Sequence, residues 1–230
     1  MLDERSHTVA DAVRMVHYAK RVFADHERTA QPFSALERRI VVLACLFADV
    51  GKSGPEHANV AQRQLIVEMF AVEGVRDDTQ PVADFLREHF EDGQTRVARF
   101  VELGLSPTMS MREFWNLHSS WTLDIAEAAG LPLEAVAAAA THHLLDDVNP
   151  REIVGRDRRF TRAFGDNPAF DRAEKLVIVL DKYDAARHRS QLDHDRAIAW
   201  LRERIARNPS FADDRELREL VELIARVLRP

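Results

Sequence analysis

One cysteine, Cys45, stands in 230 residues. A lone cysteine excludes an intramolecular disulfide and a thiolate metal cluster. Glycine and proline are sparse, at 8 and 9 residues, so the chain is neither loop-rich nor of low complexity. No apolar run approaches the roughly 20 residues of a membrane-spanning helix, so no membrane partner is expected. The opening stretch MLDERSHTVADAV has early acids and no apolar leader segment, which makes the cytoplasm the expected location. A basic excess is also missing. The net charge is −6 with dispersed Lys and Arg, which argues against a nucleic-acid duplex as partner. Phosphate esters stay within reach of such a chain if metal ions or local cations carry the charge.

Sustained strand alternation is absent as well. What is present is helical periodicity along most of the chain. TVADAVRMVHYAKRVFADH places Val9, Ala12, Val13, Val16, Ala19 and Phe23 at helical spacing. Ser34–Glu37 and Ser110–Glu113 are capping boxes that open helices, and Gly130 closes the second of these. Pro132 opens LPLEAVAAAATHHLL, and Asn167 with Pro168 is read as the start of the helix containing KLVIVLDKY. Gly51–Pro55 and Gly104–Pro107 read as loops. The expectation is an all-α chain with one domain over 1–230 and a helical insertion at about 56–103.

Ten histidines are many for this length, and four have notable neighbours. His17 follows Val13 by one turn. His118 lies between Phe114 and Trp121, and His142 and His143 end an alanine-rich helix. Asp49 closes the apolar run VVLACLFA, and Asp181 interrupts LVIVL and KYDA, costly places for a carboxylate unless it is paired or metal-bound. Each has an ordinary explanation: a core histidine, a helix-end carboxylate, an ion pair with a neighbouring lysine. Their order along the chain is the stronger signal.

That order is His, Asp-x-Gly-Lys, His, His-His, then Asp before Tyr-Asp-Ala. It resembles the HD superfamily of metal-dependent phosphohydrolases, closest to the HD-GYP branch that hydrolyses cyclic dinucleotides, chiefly cyclic di-GMP. The resemblance covers about 15–55 and 110–190. It implies an HD-type helical bundle and a two-ion centre, with Mn or Fe favoured and Mg, Zn, Ni or Co also suitable. Asp49 would bridge the ions. One ion would take His17, residue 48 and Asp181; the other would take His118, His142 and His143. Lys52 would contact phosphate and aid the leaving group beside the catalytic Asp49, and Arg187 and Arg189 would face substrate phosphates. Trp115 and Trp121 could stack on a base or belong to the core.

Three departures qualify the resemblance. Ala48 replaces the name-giving histidine. DDVNP stands where relatives carry Gly-Tyr-Pro, and Leu144 replaces a glutamate. The stretch from Asp49 to His118 is longer than in compact relatives. The expectation is one firm metal and one weak or absent metal, in an enzyme impaired at Ala48 by engineering or by natural loss. The alternative is a non-catalytic HD-fold module that binds a nucleotide or a protein. Homo-oligomerisation stays open.

Overall fold

The computed structural model describes residues 7–156, 159–160 and 170–230. Among these the fold is all-α, with only two isolated bridges, Pro81 to Ser110 and Val154 to Phe160. The helices are α1 (Thr8–His26), α2 (Ala35–Phe47), α3 (Val60–Phe70), α4 (Val82–His89), α5 (Gly93–Val101), α6 (Met111–Ala128), α7 (Leu133–Ala140), α8 (Arg172–His188), α9 (His194–Arg207) and α10 (Arg215–Val227). Short 3₁₀ turns fall at Val50–Ser53, Leu144–Asp146 and Pro150–Glu152.

Both expected capping boxes form, at Ser34 with Glu37 and at Ser110 with Glu113. Two more open α3 and α8, at Asn59 with Gln62 and Asp171 with Glu174. The proposed Asn167 cap lies outside the described residues; α8 is capped by Asp171. Gly51–Pro55 is partly a 3₁₀ turn rather than plain loop. Helix α7 ends with its alanine run at Ala140, short of the expected THHLL; Thr141 leaves the helix and its hydroxyl donates to the Ala137 carbonyl at 2.7 Å. His142 and His143 therefore sit in a turn rather than on the helix.

Helix α8 is the centre of the bundle and packs against α1, α2, α7, α9 and α10. Its buried positions run nearly unbroken from Ala173 to Ala186. Burial on every side explains why KLVIVLDKY has no helical apolar stripe. Two of the ionisable groups this buries have partners of opposite charge: Lys175 meets Asp214 at 3.0 Å and Glu216 at 2.7 Å, and Asp184 meets Arg14 at 2.9 Å.

A second apolar cluster joins α3, α4 and α5 to one face of α6 through Leu65, Met69, Phe85, Phe100 and Phe114. Gly93 lets α4 and α5 close up, since a Cβ there would lie 2.5 Å from the Leu86 carbonyl oxygen. Helix α6 thus serves two cores. Phe114 and Trp121 face the α3–α5 cluster, and Leu123 and Ala126 face the main one.

Candidate metal centre

Three chain segments meet where α2, α6 and α7 converge. Asp49 stands just past the end of α2, His118 in the middle of α6, and His142 and His143 just past α7. Glycine at 51 makes this convergence sterically allowed. A Cβ there would lie 2.0 Å from the His118 carbonyl oxygen and 2.6 Å from the Thr122 backbone nitrogen. The Thr122 hydroxyl fastens the turn from both sides: it donates to the Ala48 carbonyl at 2.9 Å and accepts from the Gly51 amide at 3.0 Å.

Asp49, His118, His142 and His143 each offer a ligand atom, and those atoms lie within 4.8 Å of one another. The ring orientations matter more than the distances. His118 Nδ1 bonds the Trp115 carbonyl, and His142 Nδ1 bonds the Ala139 carbonyl at 2.6 Å. A carbonyl only accepts, so each Nδ1 carries a proton, and in the neutral ring each Nε2 presents a lone pair. These two Nε2 atoms are 3.2 Å apart, and they lie 3.5 and 3.7 Å from Asp49 Oδ1. Three acceptors thus converge without a proton among them, an arrangement a cation relieves. Backbone carbonyls that fix the tautomer are the usual outer support of histidine ligands.

The electrostatics agree. Burial, then the His143 ring, hold the His118 imidazole well below its ordinary range, so it is neutral. Burial and then the Lys182 charge push His143 to about 3. Burial alone would raise the Asp49 carboxyl, but the Lys52 charge outweighs it and holds the group well below its ordinary range, so it is ionised. Neutral imidazoles beside an ionised carboxylate form the donor state that borderline divalent ions take.

The other sequence candidates fall into different places. His17 is exposed and stands outside the cluster. The expected stripe of α1 holds at Val16, Ala19 and Phe23 and fails at Val9 and Val13. The helix buries Asp11, Met15, Ala19, Val22 and Phe23, leaving Val13 58% exposed on the flank that carries His17. Ala48 is buried and supplies only its carbonyl, to Thr122. Asp181 is buried, 2.8 Å from the Lys182 ammonium and 3.9 Å from His143 Nδ1. Lys52 bonds Asp49 Oδ2 at 2.7 Å. Arg189 reaches Asp11 at 3.4 Å and Asp49 Oδ2 at 3.9 Å. Arg187 does not face the cleft; it donates to the Leu192 carbonyl at 3.1 Å and ties α8 to the following turn. Trp121 belongs to the α3–α5 core, whereas Trp115 lines the cleft.

That cleft, of about 1070 Å³, opens over His118 and His143. Arg14, Lys52, Arg112, Arg189 and Arg204 line it with Phe70 and Trp115, and residues 70–75 from the end of α3 form part of its wall. Several lining groups were not evident beforehand. Asp146 lies 2.9 Å from His143 Nδ1, and it pairs with Lys182 at 2.8 Å and also with Arg204. Arg14 joins Asp11 to Asp184 across α1 and α8. Asp184 is the acid of the Tyr-Asp-Ala run that follows Asp181, its one signal in the sequence. Arg204 lies far away in sequence and had none.

No protein-family model, curated protein or solved structure matches this chain. Among the described residues no helix is long and apolar enough to cross a membrane. The fold is all-α, and its buried Asp/His cluster could hold a metal ion and is compatible with an HD-like site.

Proposed function

We propose that this chain is a metal-dependent phosphohydrolase of the HD type, acting on a nucleotide phosphoester, with a cyclic dinucleotide and first of all cyclic di-GMP as the favoured substrate. One observation carries the metal reading: Asp49 Oδ1 and two Nε2 atoms converge beneath a cleft lined by five Lys and Arg side chains and four carboxylates. A divalent ion held there, Mn or Fe by preference, would supply Lewis acidity at a phosphoryl oxygen and an acidified water.

The remaining work falls to side chains of the chain itself. Lys52 holds Asp49 ionised and leans into the cleft, placed to meet phosphoryl charge. Arg189 carries a second positive charge to the same edge. Trp115 and Phe70 offer apolar faces on which a base can stack. Arg112, 5.9 Å from the Trp115 ring, adds a cation beside that face.

A second reading is a non-catalytic nucleotide-binding module. Ala48 favours it, because its methyl side chain has no donor atom. The two readings part in one experiment. Chelator-stripped protein and its Ala48→His variant are loaded with Mn²⁺ or Fe²⁺ and assayed on cyclic di-GMP, other cyclic dinucleotides and mononucleotides. Turnover that rises in Ala48→His supports the enzyme. Inertness of both proteins on every substrate, with retained nucleotide binding by calorimetry, supports the module.

A further inference from the structure

A second set of donors adjoins the first through His143. Its Nδ1 lies 2.9 Å from Asp146 Oδ2 and 3.9 Å from Asp181 Oδ2. The Lys182 ammonium stands among all three. It is 2.8 Å from each carboxylate and in contact with His143 Nδ1. The site is closed to solvent on this side, with the Lys182 and Asp181 side chains 5% and 7% exposed. Two carboxylates and an imidazole about one buried point are donors that a divalent ion accepts. Here a lysine holds them instead.

We propose that Lys182 is a resident cation occupying a second ion position, and that it limits this centre to one divalent ion per chain. The inference rests on the metal reading of Asp49, His118 and His142. An ammonium is a compact charge with three N–H donors, and it faces three acceptors here. Arg204 adds a further positive charge on Asp146, so the two carboxylates are already balanced by two cations. A divalent ion entering beside Lys182 would meet repulsion and find its donors engaged. With the ammonium removed, the donors need to close in by roughly 0.7 Å each to reach metal–oxygen distances. Asp146 sits in a short 3₁₀ turn and can follow. Lys182 therefore acts as a positioning residue: it spaces Asp146 and Asp181 and keeps His143 directed within the centre.

Counting bound ions tests this. Chelator-stripped full chain is dialysed against Mn²⁺; bound metal is measured by elemental analysis, and pairing of ions by electron paramagnetic resonance. Wild type is expected to hold one ion per chain with an uncoupled spectrum. Lys182→Ala and Lys182→Gln are expected to hold two, with an exchange-coupled signal. The inference is overturned if wild type binds two coupled ions, or if either variant, folded by circular dichroism, stays at one. A wild type that binds no ion removes the metal reading itself, a different failure. Should both variants fail to fold, the wild-type spectrum decides alone: a coupled pair overturns the inference and a single uncoupled ion supports it.

Discussion

Two polar regions lie side by side beneath the cleft, and they are built on opposite principles. Around Arg14, Asp11, Asp184 and Arg189, each carboxylate has a guanidinium partner. Around Asp49, His118 and His142, three lone pairs face one another and no side-chain proton stands between them. Both regions are buried or half-buried, and both join distant segments. The first is complete as it stands, as buried ion pairs must be. The second is an arrangement that a metal ion could complete. The contrast separates a network that holds the fold from one that could hold a metal ion, and it can be broken at either end.

The largest effect is expected from His142→Ala. It removes one of the two bare Nε2 atoms and leaves the ion-paired network untouched. Metal content should fall from about one per chain to background, with affinity lower by at least ~100-fold, since even outer-sphere changes cost 10–100-fold. Elemental analysis after dialysis reads this directly. Full retention of metal in His142→Ala would remove the distinction between the regions.

Gly51→Ala attacks the steric condition for the convergence. The added methyl would strike the His118 carbonyl, so the turn carrying Asp49 must withdraw from α6. Overpacking of this kind costs about 1–3 kcal/mol, visible in urea melts. Metal affinity should drop together with stability, because Asp49 moves away from both imidazoles. A variant as stable as wild type with unaltered affinity would mean that the turn does not set the donor geometry.

Asp184→Asn strikes the opposite region. The Asp184 side chain is buried, but Arg14 is 30% exposed and keeps Asp11. The loss should therefore be about 2 kcal/mol, below the 3–5 of a fully enclosed pair. Metal content should stay at the wild-type value. Loss of metal without loss of stability would reverse the roles given to the two networks.

The helices and the His/Asp cluster were legible in the sequence for physical reasons that differ. Capping boxes are local, so Ser34 with Glu37 and Ser110 with Glu113 could be read without tertiary knowledge. His118, His142, His143 and Asp49 stood out because polar groups inside apolar runs are expensive. In α1, Val9 and Val13 continue the apolar spacing of the buried residues yet are exposed, and His17 lies on their flank. Asp146, Arg14 and Arg204 could not be found this way: their partners lie on other elements, and each alone resembles an ordinary surface charge. The same holds for Lys182, whose significance depends on where α8 places its ammonium.

The smallest effect concerns the other end of α8, where the same helix buries an acid in different company. Asp184 faces Arg14, whereas Glu174 is 2% exposed, and its capping-box neighbour is the acid Asp171. Burial, then the Asp171 charge, push the Glu174 carboxyl from its ordinary 4.5 up to about 9. The folded state thus favours the neutral acid. Its contribution is complete below about pH 4.5, shrinks as pH rises, and is gone by about pH 9. Glu174→Gln keeps an oxygen to accept the Asp171 amide proton and carries no titratable charge. The variant should be more stable than wild type at pH 8 and lose that advantage near pH 4. Thermal melts across this range test it. A wild-type curve parallel to that of Glu174→Gln from pH 4 to 9 would place a compensating cation beside Glu174, and the two ends of α8 would then be alike.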